Sequence, residues 1–226
     1  MYKAIFIDVD DTLLDFNACA AQAMRRGLAM RGEEYCEEMF PVFRRINLGF
    51  WQKIETGEIT RAQLAADRWN AVFAALGLSH LDGPAFEVDF KRFLTESAMP
   101  IPYALETLRS LAARCPLYAA TNGPQHQQET RLAKAGMLPY ITRVFTSEAI
   151  GAEKPSRAFF AACFEQLPQL TPADVLFVGD SLTADMIGGI ESGLATCWYN
   201  PQNLPCPAQI TPSYVITDLR QLPQLL

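Results

Sequence analysis

The sequence predicts an α/β fold: a Rossmann-like core on a parallel sheet, interrupted after its first strand by an all-helical insertion. Three observations carry this expectation. Short β-like apolar runs recur at residues 4–7, 117–120, 144–146, 175–178 and 195–199. Stretches of helical character separate the later runs, as in parallel strands joined by crossover helices. Between the first two runs, residues 15 to 97 hold no convincing strand and read instead as repeated helical segments.

Length fits this division. A chain of 226 residues is long for a minimal domain and short for two independent ones, so one core with an insertion is expected. The core is assigned to residues 1–14 and 98–226, and the insertion to 15–97. Half of the residues are hydrophobic and 19% are charged, which suits a packed core and not a disordered chain. A net charge of −6 and a pI near 5.0 argue against nucleic-acid polymers and anionic membranes as partners, although a small anion needs only local positive charge. The opening MYKAIFIDVDD resembles neither a signal peptide nor a membrane span, so a cytoplasmic location is expected. The cysteines Cys19, Cys36, Cys115, Cys163, Cys197 and Cys206 form no CxxC pair and read as reduced thiols.

The first strand runs into FIDVDDTLLDF, residues 6–16, where Asp8, Asp10, Asp11 and Asp15 crowd together. Aspartate favours neither strands nor helix interiors, and clustered carboxylates repel, so local folding preference does not explain the cluster. A solvated, N-capping turn is one reading. The other places Asp8 and Asp10 near the carboxyl end of a buried strand, where open α/β sheets bind ligands and a divalent cation would neutralise them. Oxygen-only ligands favour magnesium.

The insertion follows, with helices expected at about 17–31, 35–55, 61–76 and 84–97, and leaves through the proline-bearing SAMPIPY. In LYAATNGP, Thr121 and Asn122 end a strand and open a helix, which suits either capping or anion binding. In GAEKPSRAFF, Lys154 precedes a proline at a helix start and says little alone. In VLFVGDSLTAD a strand ends in Gly179 and Asp180, and a helix expected from about Thr183 carries Asp185.

Asp8/Asp10, Thr121/Asn122, Lys154 and Asp180/Asp185 thus fall at the carboxyl ends of strands of one sheet. In order, DVDDT, TN, KP and GDSxxxD resemble the four motifs of the haloacid dehalogenase superfamily. The resemblance implies that Asp8 is a nucleophile forming an aspartyl-phosphate, and that Asp10 is the general acid/base. It implies that Asp8, the Asp10 backbone carbonyl and Asp180 bind Mg²⁺, with Mn²⁺ or Co²⁺ as substitutes. Thr121, the Asn122 amide and Lys154 would hold phosphoryl oxygens, and Asp185 would orient the lysine or act through water. An acid two positions after the nucleophile marks phosphatases and phosphomutases within the superfamily, since dehalogenases protonate no leaving alkoxide.

The insertion resembles the superfamily's helical C1 cap, which admits small phosphate esters. Its stretch RRINLGFWQKIETGEITRAQLAADRWNAVF, with IESGLATCWYN and ITPSYVITDLRQL near the C-terminus, is similar to bacterial pyrimidine 5′-nucleotidases of the YjjG type. That resemblance implies a nucleoside monophosphate such as dUMP, dTMP or UMP as substrate, with Phe16, Asn47 and Trp51 as substrate contacts; separately, a monomer or weak homodimer is expected. Aromatics in such helices are more often packing core. A sugar-phosphate or phosphoglycolate phosphatase, a phosphomutase and a non-catalytic metal- or partner-binding module remain open alternatives.

Overall fold

The computed structural model describes residues 2–226 and divides into two compact units, Met1–Asp15 with Ala98–Leu226, and Phe16–Ser97. The chain begins with β1 (Ala4–Ile7) and then enters four helices, α1 (Phe16–Ala29), α2 (Met39–Glu55), α3 (Arg61–Leu76) and α4 (Gly83–Glu96). After α5 (Ala104–Ala112) come β2 (Leu117–Thr121), α6 (Gln125–Lys134), β3 (Arg143–Thr146), α7 (Ser147–Ile150) and α8 (Arg157–Glu165). The chain then forms β4 (Val175–Gly179), a π-helical turn at Leu182–Ile187, α9 (Gly188–Glu191), β5 (Ala195–Tyr199) and β6 (Tyr214–Ile216).

The six strands make one parallel sheet in the order β3-β2-β1-β4-β5-β6. Strand side chains alternate between two apolar layers, as the pleat requires. Ile5, Ile7, Leu117, Ala119, Leu176 and Val178 belong to one layer, and Ala4, Phe6, Tyr118, Ala120, Val175 and Phe177 to the other. Burial on both faces explains why these strands read as continuous apolar runs without polar alternation. Because β1 is central, its neighbours β2 and β4 lead away in opposite directions, which opens a crevice at the strand ends.

The helical unit is organised around aromatic side chains. Trp69 lies within 5.0 Å, centroid to centroid, of Phe43, Phe90 and, at 4.2 Å, Phe86. Trp69, Phe43 and Phe73 are therefore core, whereas Phe50 and Trp51 are half-buried. A capping box between Thr60 and Gln63 starts α3, and Gly77, left-handed at φ +74°, ends it. Helix α2 begins at Met39, four residues later than the expected 35. Tyr35 instead lies under the Arg25 guanidinium and donates a hydrogen bond to Glu37, contacts that a helix-propensity reading does not contain.

Two differences in the core have physical reasons. The β6 strand escapes sequence reading because it has three residues, with Val215 half exposed and only Ile216 buried. The helix expected from Thr183 begins instead as the π-helical turn at Leu182, with Ser181 capping it by accepting from the Ala184 amide. Among the described residues, no helix is long and apolar enough to cross a membrane.

Candidate active site

The site lies in the α/β unit, at the carboxyl ends of β1, β2 and β4. Asp8 follows β1 directly, and its amide donates to the Val178 carbonyl at 2.9 Å, so the central ladder fixes it. Lys154 reaches it from the loop before α8. The Lys154 Nζ donates to Asp8 Oδ1 at 2.6 Å, Asp185 Oδ1 at 2.6 Å and the Ala120 carbonyl at 2.7 Å, which satisfies its three protons. The Asn122 side chain holds the lysine backbone from both sides. Its Nδ2 donates to the Lys154 carbonyl at 2.9 Å, and its Oδ1 accepts from the Lys154 amide at 2.8 Å.

Asp185 is buried and doubly fixed, with its second oxygen accepting from the Ser181 amide at 3.1 Å. Its carboxylate lies so close to β4 that a Cβ on Gly179 would stand 2.2 Å from Asp185 Oδ2 and 2.5 Å from its Cγ. Gly179→Ala should therefore displace Asp185 and cost about 1–3 kcal/mol, the range for overpacking a rigid site. Denaturant unfolding of the variant checks this, with a midpoint unchanged from wild type as the contrary result.

Asp180, partly exposed, faces the same space. The Thr12 hydroxyl lies 3.4 Å from its Oδ1, and the Trp198 indole donates to its backbone carbonyl at 2.8 Å. Asp8, Asp180 and Asp185 each offer an oxygen within 4.8 Å of the others. Burial pushes the Asp8 carboxyl up to about 8 against the pull of Lys154, with Asp185 and Asp10 adding to the rise. Asp180 is raised well above the usual carboxylate range by burial, then by Asp8, Asp185 and Asp11. Lys154 is shifted upward by Asp185 and Asp8, which outweigh its desolvation.

Lys154 pairs with Asp8 and Asp185 but not with Asp180, so the charge of this trio is incompletely compensated. An all-oxygen cluster with raised carboxyl pKa values fits a hard divalent cation such as Mg²⁺. Asp8 and Asp180 are the side chains suited to hold it, since Asp185 already serves Lys154 and Ser181.

The structure thus brings together Asp8, Thr121, Lys154, Asp180 and Asp185, linked by the contacts of Asn122 and Ala120. Thr121 is buried, and its hydroxyl accepts from the Gly123 amide at 3.0 Å and from Gln128 Nε2 at 2.9 Å. Asp10 stands on the loop after β1 and is held by two residues that sequence reading missed. Gln128 Nε2 donates to Asp10 Oδ2 at 2.6 Å, and Arg131 Nη1 donates to Asp10 Oδ1. Their spacing of three on α6 was visible, but a contact across more than a hundred residues was not.

The three residues assigned to substrate contact all lie in the helical unit. Phe16 is half-buried where α1 begins, and Trp51 is half-buried with the Arg61 guanidinium 5.4 Å from its ring. Asn47 is buried, and its Oδ1 accepts from Arg68 Nη1 at 2.6 Å. Arg68, also buried, donates from Nη2 to both carboxylate oxygens of Glu87, at 2.9 and 2.6 Å. Asn47 thus has a structural partner within its own unit.

Comparison with known proteins adds three relatives and a family. Residues 2–193 match the family model of haloacid dehalogenase-like hydrolases. HAD-hydrolase YfnB of Bacillus subtilis is 36% identical over 225 residues, covering 100% of this chain and 95% of that protein. Its crystal structure, bound to magnesium, superposes with a TM-score of 0.93 over 99% of this chain and 98% of that one. Pyrimidine 5′-nucleotidase PynA of Streptococcus pneumoniae is 32% identical, covering 98% of this chain and 93% of its own length. Pyrimidine 5′-nucleotidase YjjG of Escherichia coli is 30% identical, covering 98% and 96%.

Proposed function

The chain belongs to the haloacid dehalogenase-like hydrolases as a phosphoric monoester hydrolase, and from that premise we propose that it is a Mg²⁺-dependent pyrimidine 5′-nucleotidase acting through an aspartyl-phosphate. The observation that carries the chemistry is the pairing of Lys154 Nζ with Asp8 Oδ1 at 2.6 Å beside Asp180, with Asp10 two residues on. A carboxylate held between a cation and a metal-ligand set can attack phosphorus without repelling its dianion.

In this reading Asp8 forms a bond to phosphorus while the ester P–O bond breaks, and Asp10 gives its proton to the departing oxygen. Water then attacks the aspartyl-phosphate, Asp10 takes the water proton, and phosphate leaves with Asp8 regenerated. Thr121 and the Asn122 amide hold transferring oxygens, and Lys154 joins them by exchanging its contact with Asp8 for a phosphoryl oxygen as Asp8 attacks, so positioning and charge stabilisation supply most of the acceleration. Bound Mg²⁺ would neutralise the carboxylates and the charge that develops on the phosphoryl oxygens. Asp185 keeps Lys154 oriented throughout.

The substrate assignment is supported by PynA and YjjG, both named pyrimidine 5′-nucleotidases and both matched over nearly the whole chain. Half-buried aromatic side chains such as Phe16 and Trp51 provide π-faces on which a base can stack, whereas the buried Asn47 could read a base edge only by giving up its bond to Arg68. The expected result is a kcat/KM for dUMP or dTMP at least about tenfold above that for AMP or glucose 6-phosphate, roughly 1.4 kcal/mol of differential transition-state binding. Phosphate release across a panel of nucleoside monophosphates and sugar phosphates measures it. A preference for sugar phosphates would remove the nucleotidase assignment and leave the phosphatase. Trp51→Ala should reduce dUMP turnover far more than p-nitrophenyl phosphate turnover, and equal losses would make Trp51 a packing residue. Asn47→Ala carries the same comparison, with loss of the Arg68 bond as its competing explanation.

A further inference from the structure

Asp10 stands on a loop with its side chain 28% exposed, so nothing in the backbone alone selects its rotamer. Both carboxylate oxygens are nevertheless engaged, Oδ2 by Gln128 and Oδ1 by Arg131. Gln128 and Arg131 are fully buried, lie three residues apart on one face of α6, and are joined to each other by Arg131 Nη1 donating to Gln128 Oε1 at 3.0 Å. The same Gln128 Nε2 that holds Asp10 also donates to the Thr121 hydroxyl. Gly123 makes room for this arrangement, since a Cβ there would stand 2.1 Å from Gln128 Nε2.

Burying an arginine costs several kcal/mol unless it is well paired, and an apolar side chain would fill the same space without that cost. A guanidinium and an amide converging on one partly exposed carboxylate are what orienting that carboxylate requires. We propose that Gln128 and Arg131 are positioning residues that clamp Asp10 in the orientation used for proton transfer, with Gln128 tying that orientation to the phosphoryl-holding Thr121. The inference rests on Asp10 being the acid/base of the reaction.

A clamp of this kind acts on the proton given to the leaving oxygen, so its loss matters in proportion to how much the leaving group needs that proton. p-Nitrophenoxide departs readily unprotonated, phenoxide less so, and an alkoxide hardly at all. The test compares wild type, Gln128→Leu, Arg131→Met and Asp10→Asn on p-nitrophenyl phosphate, phenyl phosphate and dUMP. The release of p-nitrophenol is followed in its first turnover, before water attack becomes limiting.

Gln128→Leu and Arg131→Met should lower kcat for phenyl phosphate and dUMP by about a hundredfold, the lower range of general acid–base catalysis. KM should stay within about threefold, and the first-turnover release of p-nitrophenol should fall by less than about tenfold, a residual loss that for Gln128→Leu reflects its contact with Thr121. Arg131→Lys should recover part of the loss. Should Arg131→Met fail to fold, Gln128→Leu and Arg131→Lys carry the comparison. Equal losses on all three esters, or no loss on any, overturn the clamp while Asp10→Asn shows the leaving-group dependence. If Asp10→Asn itself turns over phenyl phosphate normally, the acid/base reading fails instead.

Discussion

Asp8→Asn should fold normally and hydrolyse phosphate esters at least about a thousandfold more slowly than wild type, because it removes the attacking group and keeps its shape. The amide oxygen can still accept from Lys154, and the backbone bond to Val178 is unaffected. Without metal the folded Asp8 keeps its proton up to about pH 8, so near neutral pH a neutral amide replaces a largely neutral acid and stability should change little. Steady-state kinetics with circular dichroism and thermal unfolding checks both halves. Activity within tenfold of wild type would remove the covalent mechanism, since no other carboxylate is paired with Lys154 and placed directly on the end of β1.

Stripping divalent cations with EDTA should reduce activity by at least about a hundredfold, with recovery on adding Mg²⁺, since a metal ion contributes several kcal/mol of charge stabilisation in such sites. The carboxyl pKa values add a stability signature. Asp8 rises from an ordinary 3.8 to about 8 on folding, and Asp180 moves the same way. Between those pH values the folded, metal-free protein retains protons that the unfolded chain gives up, so its stability falls as pH rises through that window. The upward shift of Lys154 acts only above its ordinary 10.5, outside the window. A cation replaces those protons. The melting-temperature gain from Mg²⁺ should therefore be larger at about pH 8 than at about pH 5. A gain independent of pH, or full activity in excess EDTA, would contradict the metal assignment.

Much of this was legible in the sequence for identifiable reasons. A parallel sheet buried on both faces forces its strands to be short apolar runs, which is why β1, β2, β4 and β5 stand out and the edge strand β6 does not. The motif residues were legible because four sets of polar groups fall in order at the ends of apolar runs, although each set alone reads equally as a cap or turn. Lys154 was the weakest of them when read alone. Its role emerges only when Asp8, Ala120 and Asp185, distant in sequence, converge on its three protons. The Gln128–Arg131 contact with Asp10 and the Arg68–Glu87–Asn47 network were invisible for the same reason: each is a tertiary pairing of residues whose local surroundings read as ordinary helix. Asn47, chosen for its amide beside Trp51, shows how a buried ion-pair network competes with a ligand for one polar side chain.

The covalent step is tested most directly by trapping. Wild-type protein mixed with an excess of dUMP or p-nitrophenyl phosphate and Mg²⁺, then quenched in acid within the first turnovers, should carry the added mass of one phosphoryl group. That group should map to the peptide containing Asp8 and be absent from Asp8→Asn. A quenched enzyme that never carries phosphate while turning over substrate, or that carries it on a peptide without Asp8, would contradict the account.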